Sequence, residues 1–179
     1  MVTNIVKTKL IFLVLFIFIF KLNVNAGILL GVSKNSWQEK IPIIVANVEE
    51  DKMTTFTGLG LHLGYDYTMT QRTRYNITAS YVGGFADIHK LAGATAPRKN
   101  FYALWLQNKV MWRSTKTFAV GPNFVVNNRK LDELSAAISA GLFFDFDYDL
   151  FKEMRLTQSV GTMSDSSQLA YHFVFSYIF

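Results

Sequence analysis

"QLAYHFVFSYIF", residues 168–179, is the stretch on which the fold turns. Every second residue is large and apolar: Leu169, Tyr171, Phe173, Phe175, Tyr177 and Phe179. Between them stand Ala170, His172, Val174, Ser176 and Ile178. A period of two puts alternate residues on opposite faces of a β-strand, so one face is almost all aromatic and the other carries the polar groups. A chain end is normally loose and polar unless something ties it down, and this one stops in a strand on a phenylalanine. The solvent that meets the aromatic face decides the architecture.

The same alternation recurs upstream and predicts eight strands. The first covers Gly27–Asn35, with Ile28, Leu30 and Val32 on one face. The second, Thr54–Tyr67, sets Leu59, Leu61, Leu63, Tyr65 and Tyr67 against Gly58, Gly60, His62, Gly64 and Asp66. The third, Thr73–Phe85, opposes Tyr75, Ile77, Ala79 and Tyr81 to Arg74, Asn76, Thr78 and Ser80. In the fourth, Asn100–Arg113, Tyr102, Leu104, Leu106, Val110 and Trp112 face away from Gln107, Lys109 and Arg113. The fifth is Thr117–Val126, with Phe118, Val120 and Phe124 together. The sixth, Ala136–Tyr148, sets Ile138, Leu142, Phe144, Phe146 and Tyr148 against Ser139, Gly141, Asp145 and Asp147. The seventh, Lys152–Thr162, has the weakest pattern, and the eighth is the quoted stretch. Connections Ser36–Met53, Ala86–Lys99 and Asn127–Ser135 are long and polar, whereas Thr68–Arg72, Ser114–Lys116 and Asp149–Phe151 are hairpin-sized.

A soluble sandwich alternates too, but four features point to hydrocarbon. Several strands reach the roughly ten residues that a tilted strand needs to cross a bilayer. Aromatics gather in two belts: Tyr65, Tyr67, Tyr75, Trp112, Phe118, Tyr148, Tyr177 and Phe179 toward the short turns, and Tyr81, Tyr102 and Tyr171 toward the long loops. The polar face mixes glycines with charges of both signs, and the loops are long on one side only. In lipid every backbone polar group needs a partner within the protein, so such a sheet has to close and its first and last strands pair. The expected fold is all-β: an antiparallel eight-stranded up-and-down transmembrane β-barrel over residues 27–179.

Composition agrees. Half the chain is hydrophobic and only 17% is charged, where an ordinary soluble domain carries about 25% charged residues. The absence of cysteine excludes disulfides, thiolate metal sites and cysteine nucleophiles. "MVTNIVKTKLIFLVLFIFIFKLNVNA", residues 1–26, has the positive start (Lys7, Lys9), apolar run (Leu10–Phe20) and small-x-Ala end (Val24-Asn25-Ala26) of a secretory signal peptide. Its apolar run is too short to span a bilayer, so cleavage near Ala26 is expected. Without Lys7, Lys9 and Lys21 the charge falls from 18 basic and 13 acidic residues to 15 against 13, a net of +2. The remaining cations are scattered, which gives no footprint for nucleic acid.

The ending "YHFVFSYIF" resembles the C-terminal signature of bacterial outer-membrane β-barrels, with Phe179 last and Tyr177, Phe175, Phe173 and Tyr171 at alternate positions before it. Strand count and leader resemble the small OmpA/OmpX-type barrels of Gram-negative outer membranes. The resemblance implies outer-membrane localisation, recognition of the ending by the barrel-assembly machinery, and contact with outer-membrane lipid and lipopolysaccharide. Pro122, inside the fifth strand, departs from the pattern and predicts a bulge or a shifted boundary. Asn108 and Gln158 fall on the lipid face by parity.

An eight-stranded barrel has an interior that side chains can just fill. By parity it receives His62, Asp66, Arg74, Lys109, Arg113, Asp145, Asp147, Arg155 and His172, with Trp105 and Phe143 adding bulk. Opposed charges there form a structural ion-pair plug; the competing reading is a narrow charged pore. Enzymatic acyl chemistry at the outer rim is a further alternative, with Asp87, His89 and Ser166 as the candidate side chains. The plainer account of these residues is that loops use Ser and Asp to make turns. Asp87 and His89 are two ligands and do not make a metal site, and nothing calls for a cofactor. The first long loop, Ser36–Met53, sets Ile41, Ile43, Ile44, Val45 and Val48 beside Glu49, Glu50 and Asp51. It reads either as a contact for a surface protein partner or as a hairpin continuing the first two strands. A structural or adhesive role is expected.

Overall fold

A computed structural model describes the chain over residues 26–45, 48–89, 98–132, 136–164, 166 and 168–179; side chains at 43–45, 48 and 49 stand outside that description. The leader read over residues 1–25 lies outside the described residues. Eight strands follow in order: β1 (Ala26–Val45), β2 (Val48–Thr68), β3 (Thr73–Ile88), β4 (Arg98–Arg113), β5 (Phe118–Leu131), β6 (Ala137–Phe151), β7 (Met154–Met163) and β8 (Leu169–Ile178). Each pairs antiparallel with its sequence neighbour, and β1 pairs with β8, closing the barrel. The closing seam runs from Leu29↔Ile178 to Ser36↔Tyr171, and Phe179 and Ile28 exchange backbone hydrogen bonds at its foot.

Parity follows the sequence. Leu59, Leu61, Ile138 and Leu142 stand outward and are about two-thirds exposed, while His62, Asp66, Arg74, Lys109, Asp145, Asp147 and Arg155 are buried inside. A continuous apolar exterior wrapped around a polar interior is the inverse of a soluble barrel, and only hydrocarbon suits it. On β4, Tyr102 and Trp112 mark the two belts. Ten residues separate them, roughly 33 Å along the strand and about 25 Å along the bilayer normal at the tilt usual for such barrels. Asn108 does face outward, and its carbonyl accepts a 2.8 Å hydrogen bond from the Tyr75 hydroxyl, so it reaches the lipid face already paired.

Strand lengths depart from the sequence reading. The loop expected at Ser36–Met53 is the far end of a β1–β2 hairpin, paired from Ser36↔Thr57 to Val45↔Val48. Asn127–Leu131, also read as loop, continues β5, and the turn read at Asp149–Phe151 is the end of β6, where the register to β7 shifts. In the first two the period of two continues but polar residues such as Glu39, Asn127 and Arg129 turn inward, so the contrast in hydrophobicity fades; at Asp149–Phe151 the register shift breaks the alternation and leaves Leu150 and Phe151 both exposed. Pro122 produces no bulge. β5 passes through it in one register, from Lys109↔Asn123 to Trp112↔Val120, with Gly121 and Pro122 unpaired to β4 between them. Gly121 fits because a Cβ there would lie 1.9 Å from the Val110 carbonyl oxygen.

The wall is uneven in height. β1 continues nine residues beyond its last pairing with β8 at Ser36↔Tyr171, and β7 and β8 stop at Met163 and Leu169. Along β1 the even-numbered residues face β8, as the Ile28–Phe179 exchange fixes. Beyond Ser36 the backbone groups of Gln38 and Lys40 on that side therefore have no strand partner among the described residues, which leaves an open edge. Pro42, next in that row, brings no N–H.

Candidate functional site

The barrel interior is stratified. Toward the short turns, β2, β3, β4, β6 and β7 contribute a charge network centred on Asp147, which is wholly buried. Arg74 donates to Asp147 at 2.7 Å and to Asp149 at 3.3 Å. Lys109 lies 3.2 Å from both Asp145 and Asp147. Arg155 donates to Asp66 and Asp149, each at 2.7 Å, and the Thr157 hydroxyl donates to Asp147 at 2.6 Å. Asn76 completes the environment of Asp66 at 2.5 Å. Each carboxylate thus meets more than one donor, which is the condition for burying charge without a large penalty. Arg113, assigned to the interior by parity, instead sits half-exposed at the mouth, 3.8 Å from Asp149. Arg113 is the last residue of β4, still paired with Ala119, so its side chain reaches the open end of the barrel. Asp149 was missed because it was read as a turn residue.

Above this layer the polarity falls. His62 hydrogen-bonds Ser80 at 2.8 Å, and His172 lies 3.3 Å from Gln107 through Nδ1. Asn123 donates to Gln107 at 3.1 Å and reaches Asp145 at a similar distance, which links the histidine layer to the charges below. The two histidine rings are 6.3 Å apart, and His172 stacks on Trp105 at 5.8 Å. Each histidine is therefore held by a neutral polar neighbour. Among the described residues no group of three or more His, Cys, Asp or Glu side chains is placed to hold a metal.

Next comes an aromatic layer: Trp37, Phe56, Phe101, Trp105 and Phe143, all buried. Trp37 stacks on Phe56 at 4.9 Å and meets Phe101 and Trp105 edge-on at 5.3 and 5.0 Å. Inward glycines make the room. A Cβ on Gly58 would lie 2.9 Å from the Phe101 ring, and one on Gly161 would lie 2.4 Å from that of Phe143. Toward the long-loop end, Glu39 pairs with Arg129 and accepts from the Ser139 hydroxyl at 2.6 Å; the Arg129 guanidinium lies 5.0 Å over Phe56. Neither Glu39 nor Arg129 was expected in the interior. The signal was present: Glu39 continues the odd-numbered row of Ser33, Asn35 and Trp37, and Arg129 that of Asn123, Val125 and Asn127.

The rim candidates are not brought together. Asp87 holds Arg98 at 2.9 Å, and this bond and charge raise the guanidinium above its ordinary pKa. His89 hydrogen-bonds Thr55 at 2.8 Å, and Ser166 donates to the Gln168 carbonyl within its own turn at 2.9 Å. Among the described residues no hydrogen bond joins His89 to Asp87 or Ser166. Ile41 of the expected apolar loop points into the barrel and is buried; the side chains of Ile43, Ile44, Val45, Val48 and Glu49 lie outside the described residues.

No family model matches the sequence, and no curated protein matches it. Solved structures do. Ail, the attachment invasion locus protein of Yersinia pestis, in complex with the heparin analogue sucrose octasulfate, is 11% identical with a TM-score of 0.52, covering 87% of this chain and 98% of that one. OprG of Pseudomonas aeruginosa is 14% identical with a TM-score of 0.48, covering 87% and 97%. Neisserial surface protein A is 9% identical with a TM-score of 0.48, covering 86% and 94%. At these identities the likeness is one of fold. The chain has the architecture of the eight-stranded bacterial outer-membrane barrels, with the apolar girdle that such a membrane requires.

Proposed function

We propose that the chain is a surface-exposed, non-conducting outer-membrane barrel whose tall β1–β2–β3–β4 wall serves attachment. One observation carries the reading. The interior is filled from wall to wall by charge pairs, histidines and aromatics, while the hairpin ending at Val45 and Val48 continues beyond the closing seam. A packed core leaves little for a pore to do, and a projecting hairpin offers backbone and side chains to the outside. The fold shared with Ail, named for attachment, supports this role. In this reading residues 1–26 are a cleaved leader, the 171–179 pattern is the ending read by the assembly machinery, and the girdle contacts outer-membrane lipid and lipopolysaccharide.

The test is adhesion of cells displaying the full chain to immobilised sulfated glycan and to host cells. A variant with residues 40–52 replaced by a two-residue turn should lose adhesion and still migrate as a compact band before boiling. Adhesion unchanged by that replacement would refute the attachment role, and open-channel conductance in planar bilayers would refute the plug.

A further inference from the structure

We propose that the short-turn mouth carries a phosphate-binding cleft for a lipid headgroup, built by the β2–β3 turn and the end of β4. The cleft is shallow and opens to solvent; Thr68, Thr70, Gln71, Arg72, Arg74 and Arg113 line it. Three arginines converge there, the side chain best suited to fork onto phosphate oxygens.

Two further observations point to an anion. Arg74 is buried, and two of its nitrogens are taken by Asp147 and Asp149, but its Nε–H has no hydrogen-bond partner among the described residues. A buried N–H on a charged group left unmet is costly, and the same side chain lines the cleft. The charges also fail to balance. Arg72, Arg74, Lys109, Arg113 and Arg155 make five cations against Asp66, Asp145, Asp147 and Asp149, so 5 − 4 leaves one positive charge. The Arg72 side chain has no carboxylate partner among the described residues, and Arg113 is held only loosely at 3.8 Å. The turn backbone is already fixed: the Thr70 hydroxyl oxygen accepts from the N–H of Arg72 and of Thr73, and Arg113 N–H donates to the Arg72 carbonyl at 2.7 Å. The arginines are thereby presented on a set frame.

Position favours a lipid over free phosphate as the source. Tyr67 directly precedes the cleft, and Trp112 is paired with Thr73 at its edge; both are exposed and belong to the aromatic belt, at headgroup depth. This part of the inference rests on the membrane reading. The cleft itself rests only on the arginines.

Native mass spectrometry of the full chain, purified from cell envelopes in detergent, tests it. The probes are dioleoylphosphatidylglycerol, phosphate-free dioleoylglycerol and soluble glycerol 1-phosphate. Phosphatidylglycerol should be retained over dioleoylglycerol, and Arg72→Ala and Arg113→Ala should each weaken retention about tenfold, the ~1.4 kcal/mol of one charge-assisted contact. Lys130→Ala, at the opposite end, should change nothing. Equal retention by the arginine variants overturns the cleft. Binding of glycerol 1-phosphate with no preference for the phospholipid overturns the lipid source. A chain that never takes up detergent strikes the membrane reading instead, and the cleft then stands or falls on whether Arg72→Ala abolishes glycerol 1-phosphate binding.

Discussion

The two ends of the barrel interior hold buried charge in different ways. At the short-turn end Asp147 accepts from Arg74, Lys109 and Thr157, with Arg155 at 3.9 Å, and Asp66, Asp145 and Asp149 share the same cations. At the other end Glu39 has, among the described residues, one cation, Arg129, and one hydroxyl, Ser139. The first is a mesh in which charges share partners, and the second is a single pair resting on an aromatic floor. A mesh has a hub whose loss strands several cations together. A pair strands one charge.

Asp147→Ala should therefore cost the most, about 3–5 kcal/mol, since it leaves buried cations uncompensated. Urea unfolding from lipid vesicles measures it, and a cost no larger than that of Glu39→Ala would erase the distinction. Between the two ends, Gly161→Val drives a side chain into the Phe143 ring and should cost about 1–3 kcal/mol by overpacking, read in the same assay. Glu39→Ala should cost about 1–2 kcal/mol, with Arg129→Ala adding little further in the double variant, because the second substitution removes the charge the first one stranded. The smallest effect on stability belongs to Pro42→Thr. It restores an N–H to the open edge of β1, and the expected change is in association: higher oligomers in detergent by light scattering, with the unfolding midpoint unmoved.

The same contrast explains what was legible in the sequence. Facing direction could be read wherever one side was apolar, so the inward placement of Asp66, Arg74, Asp147 and Arg155 followed from the outward Leu, Tyr and Phe beside them. Beyond the belts both sides turn polar. Gln38, Lys40, Thr55 and Lys130 face out there while Glu39, Thr54 and Arg129 face in, and the alternation loses its marker. The upper ion pair also joins residues ninety positions apart, a contact set by barrel closure and register that no local window contains. The rim candidates had a different basis. Asp87, His89 and Ser166 were grouped by loop topology alone, and each proves to be engaged by a near neighbour.

Pro122 and Gly121 leave two successive steps of the β4–β5 ladder without pairing, while the closing β1–β8 ladder is unbroken from Leu29 to Ser36. The cylinder's weakest line is thus in the middle of the chain and away from the place where its ends meet. The amide proton of Val110, which points toward Pro122, should exchange before those of the terminal strands, and a pull applied along the wall would begin to tear it there.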